Sequence, residues 1–148
     1  MTGSPLHLAR RAVGSVRNGP VSADGLALAA SVLLPRELEL WARMQNRDQR
    51  HSLLVLSRFD SLAPGAPREA RAGALLHDVG KVVSGLGWAG RVVATLAGGV
   101  TRRFRDYRDH ERIGADMLAG ISDPVTVALV EGTARGDHAE ALRRADDI

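Results

Sequence analysis

Apolar residues in this chain recur at three- and four-residue intervals and nowhere alternate convincingly, which confines the fold to packed helices. From residue 36 to about 59, for example, Leu40, Met44, Leu54, Val55 and Phe59 recur at helical spacing, and His51 lies on the same stripe. Aromatic residues make up only 3% of the chain against a hydrophobic fraction of 45%, so the core must be built from Ala, Leu and Val. Small aliphatic side chains of this kind suit closely packed helices. The expectation is an all-α bundle of about six or seven helices.

The 148 residues are enough for one core that buries about two-thirds of the unfolded surface. A single domain is expected over residues 22–148, preceded by a basic, partly ordered leader over residues 1–21 that carries Arg10, Arg11 and Arg17. Ser22 caps a first helix to about Leu34, and Pro35 opens a long second helix reaching about Phe59. Two prolines and a glycine make residues 61–67 a loop. A small-residue helix follows from Arg68 to Asp78, and Gly80 ends it in a left-handed conformation. Residues 82–100, interrupted by glycines, form one helix or two short ones. Asp109 caps a helix with His110, Ile113, Gly114 and Met117 on one face. Asp123 and Pro124 start another, to about Thr133, and Asp137 with Glu140 forms a capping-box-like start for the last.

There is no cysteine, which removes disulfides and thiolate metal sites and leaves His, Asp and Glu as ligand types. Apolar stretches such as residues 25–34 fall short of the ~20 residues needed to span a bilayer, so a soluble, cytoplasmic protein without membrane association is expected. A net charge of +3 and a pI near 10.5 favour anionic small molecules no more than nucleic acid.

Residues 74–81 read ALLHDVGK, so His77 and Asp78 close an otherwise apolar helix. A buried carboxylate beside an imidazole is costly unless something positive pairs with it. A metal ion would do so; an arginine, or a hydrogen bond from His77, is the alternative. His51 and His110 also head apolar faces, and Asp146 shares its face with Leu142 and Ala139. Asp147 follows Arg143 and Arg144 by four and three residues and is expected to be neutralised on the solvent side. Asp146 is therefore the expected fourth ligand, beside His51, His77 and Asp78. Imidazole and carboxylate donors suit manganese, iron, cobalt, nickel, zinc or magnesium. Such an ion activates water and polarises a phosphoryl oxygen, which fits phosphate ester hydrolysis.

The pieces RHSLLVL with His51, LLHDVGK with His77 and Asp78, and LRRADDI with Asp146 resemble, in order, the signature of the HD-domain metal-dependent phosphohydrolases. DHERIGADML, containing His110, resembles the segment that supplies a further histidine for a second ion in many members. The resemblance spans roughly residue 37 to the C-terminus. It implies a compact HD-domain-like helical bundle and a metal-activated water acting on a nucleotide or other small phosphate ester. Asp78, Lys81 and His110 are the implied catalytic residues. The alternative is a catalytically weakened module that binds metal, nucleotide or a partner without turnover.

Two-metal members usually carry another histidine between the His110-like position and the final aspartate, and the helix after Pro124 has none. Glu131 is the substitute position to consider, although a surface role is favoured, and His138 is expected to be exposed. One ion is thus expected rather than two. The Gly-Tyr-Pro segment that marks the cyclic-dinucleotide phosphodiesterase branch is absent. Lys81 and Arg50 are candidate phosphate-holding cations. Residues 101–112 hold five arginines with Phe104 and Tyr107 interleaved. Three acidic residues accompany them, so a solvated, self-paired segment is favoured over one that gates the pocket or binds nucleic acid. Trp41 and Trp88 are expected as core or interface anchors.

Overall fold

The computed structural model describes residues 19–82 and 101–147. Most of the expected leader, the glycine-interrupted stretch from residue 83 onward and Trp88 lie outside the described residues. So do the side chains of residues 101–108, and with them most of the arginine-rich segment. The described residues form seven helices and no strand: α1 (Ala23–Val32), α2 (Pro35–Ala42), α3 (Asn46–Leu62), α4 (Arg68–Leu76), α5 (Thr101–Leu118), α6 (Pro124–Glu131) and α7 (Asp137–Asp146). The chain is all-α.

Several boundaries follow directly from local chemistry. Ser22 Oγ accepts a hydrogen bond from Gly25 N at 3.1 Å and caps α1. Asp123 Oδ1 accepts from Val125 N at 2.8 Å, with Pro124 as the first residue of α6. Each cap occupies a backbone donor that the helix cannot satisfy internally. Gly132, at φ +79°, ends α6 in the left-handed region.

The single helix expected over residues 36–59 is instead two. Arg43 N and Met44 N bond three residues back, to Leu40 O and Trp41 O, and Gln45 is extended at φ −63° and ψ 147°. No glycine or proline stands at the break. Its cause is tertiary: Trp41 is fully buried, its Nε1 donates to Ser52 Oγ at 2.9 Å, and its carbonyl accepts from Gln49 Nε2 at 3.0 Å. Residues of α3 thus satisfy the end of α2 from outside, which requires the chain to turn between them. Within α3 the buried face runs through Ser52, Val55, Leu56 and Phe59, so Leu54, expected on the buried stripe, is half exposed.

At the centre lies α4, packed against α1, α2, α3 and α6. Its residues Ala70, Ala72, Gly73, Ala74, Leu75 and Leu76 are all buried. Thr126 Oγ1, also buried, donates to Glu69 O at 2.8 Å and joins α6 to α4. At the N-terminus of α2, the fully buried Glu37 accepts from Leu34 N at 2.8 Å and from Arg68 Nη1 at 3.1 Å. A buried carboxylate is tolerable when a cation and a backbone donor share it.

Three further expectations are corrected. Gly80 has no positive φ. It is glycine because a Cβ there would lie on the carbonyl of His110 and within 3.0 Å of Gly114 N, so the backbones of α5 and the segment after α4 touch. Asp109 lies inside α5, not at its start, and faces Arg112 Nη2 at 3.7 Å instead of capping. The N-cap of α7 is Gly136, at φ +100°, so Asp137 is the first helical residue and contributes only charge to the first turn.

The Gly80 contact yields a direct test. Gly80→Ala should destabilise the protein by about 2 kcal/mol through forced separation of two backbones, read as a fall in Tm of roughly 6 °C. Unchanged Tm would mean that the close approach is absent.

Candidate metal centre

Immediately after α4 the chain continues in tight turns, with Val79 N bonding to Leu76 O, Lys81 N to Asp78 O and Val82 N to Val79 O. In a regular α-helix adjacent residues point about 100° apart. Three-residue turns instead stack side chains three apart, which sets Lys81 beside Asp78. His77, Asp78 and Lys81 all line one cavity of about 350 Å³. His77 Nδ1 donates to Ala74 O at 2.7 Å. A carbonyl can only accept, so the proton sits on Nδ1 and the neutral ring presents its lone pair at Nε2.

That Nε2 is shielded from solvent and makes no hydrogen bond. It lies 3.3 Å from Asp146 Oδ1 and 3.6 Å from Asp78 Oδ2, both ion-pair distances. His51, from the second turn of α3, places its Nε2 3.0 Å from the same Asp146 Oδ1, and the two imidazoles meet edge to face at 5.6 Å. Donor atoms of His51, His77 and Asp78 all lie within 4.8 Å of one another. The residues therefore fit a divalent ion: a buried, unbonded imidazole nitrogen is aimed at two carboxylates and lies beside a second imidazole.

Asp146 and His77 titrate abnormally, for opposite reasons. The hydrogen bond with His51 and then the close approach of His77 hold the Asp146 carboxyl well below the usual carboxylate range, against its partial burial. Burial by itself would depress His77, but the close approach of Asp146 at 3.3 Å and the nearby charge of Asp78 outweigh it and leave the imidazole raised. Lys81 Nζ meets Asp78 Oδ2 at 2.6 Å.

Of the other candidates, His110 lines the cavity on α5. Glu131 does not: it is exposed and accepts from Thr133 Oγ1 at 3.1 Å, so the structure does not assemble it with His110. Arg50 is half-buried and is not among the cavity's lining residues. His138, expected to be exposed, is half-buried against Phe59 at 6.2 Å. Asp147 also differs from expectation. It is exposed and follows α7, yet it lines the cavity, and Arg143 pairs with Glu140 at 2.6 Å. Glu111 and Arg143 line the cavity too, although in sequence Glu111 reads as part of a charged run and Arg143 as a solvent-side partner of Asp147. Leu129, Val130 and Leu142 supply an aliphatic wall.

The signs of the two shifts define a pH test on chelator-treated protein. Asp146, lowered, stabilises the fold above the usual carboxylate range, and that contribution is lost as pH falls through its folded value. His77, raised, stabilises fully below about pH 6.5, and that contribution is lost as pH rises through its higher folded value. Tm should therefore peak at roughly pH 4–6.5, and Asp146→Asn should flatten the profile. The raised His77 also makes metal affinity rise with pH, because a bound ion must displace its proton. Calorimetry at several pH values would show proton release; pH-independent affinity would exclude His77 as a ligand.

Neither the comparison with curated proteins nor that with solved structures gave a match. The HD domain family, however, matches residues 48–141, a span that contains His51, His77, Asp78 and His110 and ends shortly before Asp146. With the helical fold and the histidine-aspartate cluster already in place, that match over more than half of the chain makes it a member of the HD-domain family.

Proposed function

We propose that this chain is a metal-dependent phosphohydrolase acting on a small phosphate ester, with a nucleotide as one candidate substrate. The family is in general one of metal-dependent phosphohydrolases. The observation that carries the reading for this chain is the solvent-shielded Nε2 of His77, held without a hydrogen bond beside Asp78, Asp146 and His51. These four residues would hold the ion. A divalent ion bound there lowers the pKa of water and polarises a phosphoryl oxygen.

The chain's own groups account for the rest. The Ala74 carbonyl orients His77 through Nδ1, and Asp146 bears on both imidazoles. His51 Nε2 and His77 Nε2 must both be free of protons to act as donors. Lys81, which lines the cavity 2.6 Å from Asp78, would steady that carboxylate and hold a phosphate oxygen. His110, which lines the same cavity from α5, would donate a proton towards the leaving group or bind the phosphate.

Protein purified without chelator should contain a divalent metal. A screen of phosphomonoesters, nucleotides and phosphodiesters with added manganese, iron, cobalt or nickel should give turnover. Asp78→Ala should lose both metal and activity, whereas Lys81→Ala should keep the metal and lose roughly 10²-fold in kcat/KM. Stoichiometric metal with no turnover of any substrate would favour a binding module instead. A folded Asp78→Ala protein with full metal content would refute the ligand assignment.

A further inference from the structure

The cavity's lining carries four carboxylates, Asp78, Glu111, Asp146 and Asp147, against two fixed cations among the described residues, Lys81 and Arg143. A dianionic phosphate entering such a lining needs cations able to exchange partners. Lys81 contacts Asp78 at 2.6 Å, within the proposed ligand set, and is 36% exposed. Arg143 is held differently. Its Nη2 lies 2.6 Å from Glu140 Oε2 one turn back on α7, and the two side chains are 71% and 55% exposed. An intrahelical ion pair in water has little net strength and can be exchanged at small cost. Arg143 also lies three residues before Asp146, so α7 presents both to one cavity. A guanidinium can grip two phosphate oxygens at once, which an ammonium cannot do.

From this arrangement we propose that Arg143 binds the substrate's phosphate at the cavity wall formed by α7, and that Glu140 is the carboxylate the phosphate displaces. This rests on the phosphohydrolase reading and assigns that site a specificity-determining residue and a competing internal anion. Glu140 thereby sets the affinity: it holds the guanidinium when no phosphate is present and weakens binding by the strength of its own pair.

The test uses the full chain loaded with metal and inorganic phosphate as the titrant in calorimetry, with metal content and Tm recorded for every variant. Arg143→Ala should weaken phosphate binding about tenfold, the effect of one partly solvated charge-assisted contact, with metal content unchanged. Arg143→Lys should fall between that variant and the wild type, since charge remains but the fork is lost. Glu140→Gln should tighten binding about twofold by removing the competitor. Wild-type phosphate affinity in Arg143→Ala, looser binding in Glu140→Gln, or no phosphate binding by the wild type would each overturn the assignment. Turnover of a phosphate ester together with unchanged affinity in Arg143→Ala would overturn only the Arg143 assignment. Arg143-dependent phosphate binding without turnover would overturn the catalytic reading and leave Arg143 as the anion-binding residue.

Discussion

One oxygen atom, Asp146 Oδ1, lies 3.0 Å from His51 Nε2 and 3.3 Å from His77 Nε2, and so bridges three segments far apart in the chain. Holding these groups together in a partly buried cluster is unfavourable unless their charges and protons compensate one another. The depressed Asp146 carboxyl and the raised His77 imidazole record that compensation. The helices around them keep α3, the end of α4 and the end of α7 at one point. Arg58 Nη1 assists by donating to Ala145 O at 3.3 Å, which ties α3 to the last turn of α7.

Small residues make this convergence sterically feasible. Gly73 accommodates Leu129, with a Cβ there meeting it at 2.9 Å, and Gly80 sits against the backbone of α5. Gly114 faces both Val130 and Gly80. The near absence of aromatic side chains, evident from composition, is the same property seen in three dimensions. Closely spaced helices leave room for Ala and Gly where they touch, and Trp41 and Phe59 are the two large aromatic side chains fully buried among the described residues. Fold and site are therefore coupled: the glycine that lets α5 approach Gly80 also brings His110 to the cavity that holds His77 and Asp78.

Electrostatic compensation recurs at the other side of the bundle, with a different purpose. Glu37 is fully buried, but its Oε2 serves the first turn of α2 and Arg68 at once. Arg68 also donates to Val32 O at 3.2 Å, so the charge closes the junction between α1, α2 and α4. A carboxylate satisfied by a cation and a backbone donor is a structural element. What sets the candidate metal centre apart is the company of its unbonded atom: His77 Nε2 lies between the carboxylates of Asp78 and Asp146 and beside a second imidazole. Glu37 Oε1, also buried without a hydrogen bond, belongs instead to a carboxylate already paired with Arg68.

What the amino-acid sequence determined was whatever depends on local order. Helical periodicity, the caps at Ser22 and Asp123, the proline starts and the order of His51, His77, Asp78 and Asp146 are all properties of neighbouring residues and can be read from them. Tertiary structure decided the rest. The break between α2 and α3 exists because Gln49 and Ser52 satisfy Trp41 across the turn, and the role of Gly80 depends on a helix thirty residues later. Likewise, whether Glu111, Glu131, Arg143 or Asp147 faces the cavity depends on helix rotation and on partners in space. Charged residues on amphipathic helices have similar local signatures on either side of a cavity rim, and packing alone separates them.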